Sequence, residues 1–219
     1  TEYNDQVYFF AKTTNTGAYQ LFRSDGISTP VNLSQNIPTL GSATIDPNVP
    51  MVVSNGLLYF VASSGDGNEL WYYNGTSAIS TDINPGSASS NPAELIDVNN
   101  TLFFVATGSV GGVAQGRELW RIDDTPGAFT VAKNIRFGAG SSNPVLLTKS
   151  QNYLYFFVDN QLDPSRKDLW VADPRILSSA TANNEQIRLI YGFYNDLGAI
   201  LNDPTARTSE MVGVGDNIY

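Results

Sequence analysis

Neither cysteine nor histidine occurs among the 219 residues of the chain. Without cysteine there are no disulfides, no thiolate metal sites and no redox chemistry on protein sulfur. Without histidine the commonest general base and the commonest transition-metal ligand are missing, and with them every Ser-His or Cys-His nucleophile. Basic residues are scarce as well: 12 Lys and Arg stand against 21 Asp and Glu, for a net charge of −9. That sign disfavours nucleic acid and anionic membrane as partners. The longest apolar runs, such as YLYFFV at 153–158, fall far short of the roughly 20 residues a membrane helix needs, so no membrane insertion is expected.

What is present is 42% hydrophobic residues together with 19 glycines and 11 prolines. That is enough apolar surface for one substantial core and too much for a disordered chain. Gly and Pro interrupt nearly every window in which a helix could persist. Only NNEQIRLIYGF at 183–193 has a helix-like pattern, and it is read here as the last strand of a repeat unit. The absence of cysteine, the shortage of lysine and the abundance of Asn, Ser, Thr and Gly suit an extracellular bacterial protein. The chain opens on Thr1 with no signal-like segment, so its N-terminus is expected to be processed or cut from something longer.

The chain repeats itself. GAYQLFRSDGI at 17–27, GNELWYYNGT at 67–76, GRELWRIDDT at 116–125 and RKDLWVADPR at 166–175 share one pattern, and their aromatics Phe22, Trp71, Trp120 and Trp170 are spaced by 49, 49 and 50 residues. A second column lies upstream, in NDQVYFFA at 4–11, NGLLYFVA at 55–62, NNTLFFVA at 99–106, QNYLYFFV at 151–158 and GDNIY at 215–219. A third follows, with SSNP common to DINPGSASSNPAELIDV at 82–98 and NIRFGAGSSNPVLLTKS at 134–150. A period of this length is the mark of a repeat architecture.

Strand rules give four short strands per unit, which in one unit fall near Ala93–Val98, Leu102–Ala106, Glu118–Ile122 and Phe129–Ile135. Asn-Gly and Asn-Asn steps suit the tight turns between them. The second strand is apolar on consecutive residues, so both its faces should be buried. The expected fold is therefore all-β: a β-propeller of four-stranded antiparallel blades, about four in number. Residues 1–219 form a single propeller-like repeat domain, with units at 1–48, 49–91, 92–143 and 144–208 and the start of a fifth at 209–219. The chain is expected to enter on the second strand of its first unit. Either a strand near Glu210–Val214 returns to complete that unit, closing a ring of four, or the blades belong to a longer array. The terminal NIY repeats a strand already supplied by QVYFF, which favours the longer array.

ELWYYNGT and ELWRIDDT, with NGLLYFVA ahead and DINPGSASSNP behind, resemble the repeat of the ELWxxDGT-type proteins, found in large secreted or surface-attached bacterial proteins. The resemblance spans almost the whole chain and is good in the second and third units. The first departs from it with Gln20-Leu21-Phe22, the fourth with Asp168 and with Asp173-Pro174. It implies a propeller-like extracellular module and carries no activity or catalytic residue with it.

Several residue sets remain candidates for chemistry. Glu69, Glu118 and Asp168, with Gln20 in the fourth place, would make a cation-binding carboxylate ring if their strands turned them inward; otherwise Leu and Trp pack on opposite sides of the strand and the acid bonds to nearby backbone or Arg. SSGDGNE at 63–69, with Asp66 and Glu69, has the oxygen-rich look of a Ca2+ loop without EF-hand spacing. Tyr72, Tyr73, Tyr191 and Tyr194 are read as exposed rings that could stack on sugars, or as fillers of blade interfaces. Asp159, Asp163 and Asp168, like Asp123 and Asp124, cluster as a glycosidase requires, and as turn-forming Asp also does. The sequons at Asn32, Asn74 and Asn99 coincide with turn chemistry. The reading these features support is a non-catalytic structural or adhesive module at the cell surface, with protein or glycan partners and a capacity for self-assembly. A carbohydrate-binding propeller is the alternative, and a carboxylate glycosidase a more distant one. The unshared stretches TNTGAYQ, GSVGGVAQGR and DNQLDPSRK are where specificity should lie.

Overall fold

Two-residue turns with both residues at positive φ set the register of the chain. Asn4-Asp5 (φ 49° and 58°), Asn55-Gly56 (46° and 72°) and Asn99-Asn100 (53° and 62°) each close a tight hairpin, the conformation that Asn, Asp and Gly tolerate best. In a computed structural model, which describes residues 1–122, 125, 127–136, 138–160, 166–174, 187–190, 213–214 and 217–218, these turns organise four antiparallel sheets.

The first sheet holds β1 (Glu2–Tyr3), β2 (Gln6–Ala11), β3 (Gln20–Ser24) and β4 (Val31–Asn32). In the second, β5 (Thr44–Ile45) and β6 (Val52–Ser54) both pair with β7 (Leu57–Ser64), which is followed by β8 (Gly67–Tyr73) and β9 (Ala78–Thr81). The third comprises β10 (Ala93–Val98), β11 (Thr101–Val110), β12 (Val113–Ile122) and β13 (Phe129–Lys133). The fourth comprises β14 (Val145–Ser150), β15 (Tyr153–Asp159), β16 (Lys167–Ala172) and β17 (Ile187–Leu189). A further hairpin, β18 (Gly213–Val214) with β19 (Asn217–Ile218), ends the described chain. The all-β expectation holds, and the strands of the first, third and fourth sheets pair in chain order, while in the second β5 and β6 share one edge of β7. The window at 183–193, read as the last strand of the fourth unit, contains β17, which pairs with β16 as that reading expects.

Two expectations need correcting. The first sheet does not open on its second strand: Glu2–Tyr3 supplies a first strand of its own, since Asn4-Asp5 makes the same hairpin as Asn55-Gly56. Of the two alternatives for the end of the chain, a strand returning to complete the first sheet is not the one formed among the described residues, where β18 pairs with β19. The hairpin of the third sheet is longer than expected, running out to Val110 and Val113, because Gly111 and Gly112 (φ 58° and 79°) turn the chain at its far end. Between β4 and β5 lie a short helix α1 (Leu33–Asn36) and a 3-10 turn at Pro38–Leu40, too short to leave a periodic pattern in the sequence.

Side-chain alternation makes three cores from four sheets. On β7, Leu58, Phe60 and Ala62 join Trp71 and Tyr73 against Tyr8 and Leu21 of the first sheet. Leu57, Tyr59, Leu70 and Tyr72 point the other way, onto Leu102, Phe104 and Trp120 of the third. The third sheet's opposite face, with Phe103 and Leu119, packs on Leu154, Phe156 and Val158 of the fourth. Both faces of the second and third sheets are thus buried, which accounts for their unbroken apolar strands. The first strands also neighbour one another in order, β6 beside β10, β10 beside β14 and β14 beside β18.

Candidate functional site

The repeated carboxylate is the natural place to look for chemistry. Glu69 on β8 and Glu118 on β12 occupy the same position of successive units, and both are fully buried. A buried carboxylate needs hydrogen-bond donors, and the loop leaving each sheet supplies them. Glu69 Oε1 accepts the Ser90 N–H (2.7 Å), while Oε2 accepts the Ser90 hydroxyl (2.5 Å) and the Ile83 N–H (3.1 Å). Glu118 repeats the arrangement one unit on, with the Ser142 N–H on Oε1 (2.9 Å) and the Ser142 hydroxyl (2.5 Å) and Ile135 N–H (3.2 Å) on Oε2. The other side of each serine faces the next sheet. Ser90 C=O accepts the N–H of Thr107 on β11 (2.9 Å), and Ser142 C=O accepts the N–H of Asp159 on β15 (2.8 Å). One serine therefore joins the carboxylate of its own sheet to the second strand of the following one.

Backbone crowding around this motif explains its glycines. Gly67 and Gly116, each two residues before the carboxylate, have φ of 90° and 70°. A Cβ on Gly67 would lie 2.9 Å from the Ser89 backbone, and one on Gly116 only 2.0 Å from the Gly140 carbonyl oxygen. Only glycine lets strand and loop approach so closely. Burial pushes the carboxyl groups of both Glu69 and Glu118 above the ordinary glutamate range, and the hydrogen bonds from Ser90 and Ile83, or from Ser142 and Ile135, act against that shift.

The tryptophans two residues on are packing groups. Trp71 and Trp120 lie in the first and second inter-sheet cores, and each indole N–H donates to an alanine carbonyl on the adjacent strand, Ala62 (3.1 Å) and Ala106 (2.8 Å). Trp170 is half-buried against the third core with the Lys133 ammonium 5.2 Å from its ring centre. Phe22 is half-buried and stacks on Phe9, with ring centres 5.6 Å apart.

In the outer units the buried carboxylate is altered. Asp168 accepts from the side-chain amide of Asn160 at both oxygens (3.1 Å each), and Gln20 accepts from the Asn32 amide (2.8 Å). Asp159 is held below the ordinary aspartate range: burial raises it, but hydrogen bonds from Asn143 and Lys167 outweigh that.

The remaining expected site residues are placed as follows. Asp66 sits exposed on the β7–β8 turn, whereas Glu69 lies in the interior with both oxygens bonded. Among the described residues no group of three or more Asp and Glu is arranged to hold a metal ion. Tyr72 and Tyr73 are not exposed rings: Tyr72 packs in the second core and Tyr73 in the first, beside Tyr3 and Tyr8, because β8 is covered on both faces. Tyr191 and Tyr194, like Asp123, Asp124 and Asp163, lie outside the described residues. The sequon asparagines work locally: Asn32 caps α1, Asn74 accepts from the Thr76 and Ser77 N–H groups, and Asn99 sits in a tight turn.

Sequence reasoning missed Ser90 and Ser142, although the shared SSNP was the available signal. It also missed a strained feature four residues beyond each serine. Glu94 and Leu146 both have φ of 56°, at register shifts in β10 and β14. There Glu94 accepts the Leu147 N–H (3.2 Å), tying the third sheet to the fourth beside an open cleft of about 410 Å³.

The fold and these contacts define an all-β protein of antiparallel sheets packed face to face, with a buried carboxylate–serine contact joining the second sheet to the third and another the third to the fourth. No protein-family model matches the chain, and no curated protein matches it. Among solved structures, a Mycobacterium tuberculosis puromycin-hydrolyzing peptidase is similar over 71% of this chain, at a TM-score of 0.43 and 12% identity. This chain spans 25% of the length of that protein.

Proposed function

We propose that the chain is a propeller-type scaffold of the ELWxxDGT kind: a non-catalytic structural or adhesive module of the cell surface, whose partners are proteins or glycans. The observation that carries this reading is the state of the repeated acid. Glu69 and Glu118 are the acids that recur at one position of successive units, and every oxygen they have is engaged by the loop that follows. A general acid or base must reach substrate, and these two reach only the protein. The side-by-side order of the first strands supports the propeller arrangement, in which such strands surround an axis. Specificity then belongs to what the units do not share, chiefly the long hairpin whose tip bears the exposed Val110 and Val113.

Attachment of the purified chain to glycans and to extracellular proteins on a surface tests the reading. Replacing 109–114 by a two-residue Asn-Gly turn should weaken attachment while leaving the far-ultraviolet circular dichroism unchanged. Undiminished attachment by that variant, or turnover of peptide, ester or glycoside substrates by the intact chain, would contradict it.

A further inference from the structure

Each tryptophan of the repeat has a cross-strand neighbour on the last strand of its sheet, and there the second unit departs from the two that follow. Trp120 lies opposite Val131, with Phe129 two residues back on the same face, and Trp170 lies opposite Leu189, with Ile187 two residues back. Phe129 meets the Trp120 indole edge to face, the ring centres 5.8 Å apart at 60°. In the second unit the same two places hold Ser80, opposite Trp71, and Ala78. A large apolar pair has become a small one, and an open pocket of about 380 Å³ lies there, between β9, the β7–β8 turn and the 3-10 turn at Pro38–Leu40. Thr39 of the 3-10 turn walls one side and donates its hydroxyl to Ala78 C=O (2.7 Å). Ser80 Oγ is shut off from water and has no hydrogen-bond partner. Packing alone favours an alkyl group over an unbonded hydroxyl at such a place, and the third and fourth units have one.

The next unit supplies the template for an occupant: an aromatic ring set against the repeat's indole, as Phe129 is against Trp120. Trp71 lines the pocket at only 3% exposure. An indole that presents so little of itself suits the edge contact of another aromatic ring, whereas a sugar ring stacks on an open indole face. The rim adds charge. Asp66, exposed on the β7–β8 turn, lines the pocket, its carboxylate forms no hydrogen bond or ion pair among the described residues, and no Lys or Arg is among the lining residues. We infer that the pocket at Trp71 binds an aromatic side chain of a partner protein, a basic residue beside it in the partner's chain pairing with Asp66. This deepens the scaffold reading, on which it rests, by choosing protein over glycan as the partner.

Heteronuclear NMR of the whole chain tests this, with the Trp71 indole N–H assigned by its loss in Trp71→Phe. The probe is the capped peptide Gly-Phe-Lys-Gly at millimolar concentration, compared with Gly-Ala-Lys-Gly, Gly-Phe-Glu-Gly and methyl glucoside. The Phe-Lys peptide should shift the Trp71 indole and the amides of Ser64, Gly65 and Ser80 in a saturable way, through the ring current of the bound phenylalanine, and leave the Trp120 and Trp170 indoles in place. The Ala-Lys peptide and the glucoside should shift none of them. Ser80→Leu, which copies Leu189 of the fourth unit, should abolish the shifts in a folded chain. Asp66→Asn should weaken the Phe-Lys peptide about two- to fivefold, as loss of an exposed ion pair does, and remove its advantage over the Phe-Glu peptide. Should Ser80→Leu fail to fold, the comparison of peptides on the unsubstituted chain decides the matter alone. No shift at Trp71, equal shifts with the Ala-Lys peptide, or undiminished binding to folded Ser80→Leu would overturn the inference. Shifts with the glucoside alone would also overturn it and leave the scaffold reading standing with a glycan partner; substrate turnover would sink the scaffold reading whatever the peptides do.

Discussion

Replacing Glu118 by alanine removes the acceptor of three donors at once: the N–H of Ile135, the N–H of Ser142 and the Ser142 hydroxyl. Water cannot take its place readily, because Glu118 and Ser142 are 0% and 1% exposed. A buried donor left unpaired costs about 1–3 kcal/mol, which for three gives a gross loss of about 3–9 kcal/mol. Two effects reduce it. The substitution also removes the desolvation of a buried charge, itself several kcal/mol, and the Ser142 hydroxyl can rotate to another acceptor. A net loss of about 3–4 kcal/mol is expected, a large share of the ~5–15 kcal/mol typical of a folded domain. Equilibrium urea unfolding followed by tryptophan fluorescence measures it: the midpoint should fall with the slope unchanged. Ser142→Ala should lose about 1.5–3 kcal/mol, the value of a hydrogen bond to a charged group. The double variant should be less destabilised than the sum of the two, with a coupling of about 1–2 kcal/mol. A loss under about 1 kcal/mol for Glu118→Ala, or strict additivity, would refute the claim that the pair acts as one structural unit.

Other perturbations test neighbouring parts of the account. Gly116→Ala places a methyl group 2.0 Å from the Gly140 carbonyl at a φ of 70°, so a marked fall in the thermal midpoint is expected, whereas Gly111→Ala, with open space around it, should lose much less. Trp120→Ala should cost about 3–5 kcal/mol by urea titration, as large core truncations do, and Phe22→Ala clearly less, since Phe22 is only half-buried. The raised carboxyls of Glu69 and Glu118 bind a proton more tightly folded than unfolded. Their contribution to stability is therefore fully present below the unfolded glutamate value and is lost as pH rises through the higher folded value. Stability profiles of Glu69→Gln and Glu118→Gln should lack that falling limb; profiles parallel to that of the unsubstituted chain would contradict it.

Much of the fold was legible in the sequence because the repeat exposes it four times over. The register of Phe22, Trp71, Trp120 and Trp170 located the third strand of every sheet, and the third unit's first strand runs over the expected Ala93–Val98. Consecutive apolar residues in LLYFVA and LFFVA marked strands buried on both faces, as they are. Short elements were missed for a physical reason. Glu2–Tyr3 is two residues long, and α1 is one turn, so neither can show a period. Tyr72 and Tyr73 take the second of the two roles read for them, filling inter-sheet cores, because β8 is covered on both faces. Glu69 was legible as a repeated acid, but its partner Ser90 lies 21 residues away, and Ser142 lies 24 residues from Glu118. Nothing local to the strand announces such a partner; only the recurrence of SSNP behind ELW does.

The central claim is that the repeated Glu-Leu-Trp unit is a device for joining one sheet to the next. Amide hydrogen exchange at Ile135, Ser142 and Asp159 tests it most directly. In the unsubstituted chain all three should exchange slowly, and in Glu118→Ala they should speed up together while Ile83, Ser90 and Thr107 of the preceding junction stay protected. Unchanged protection at Ser142 and Asp159 in that variant would contradict the account.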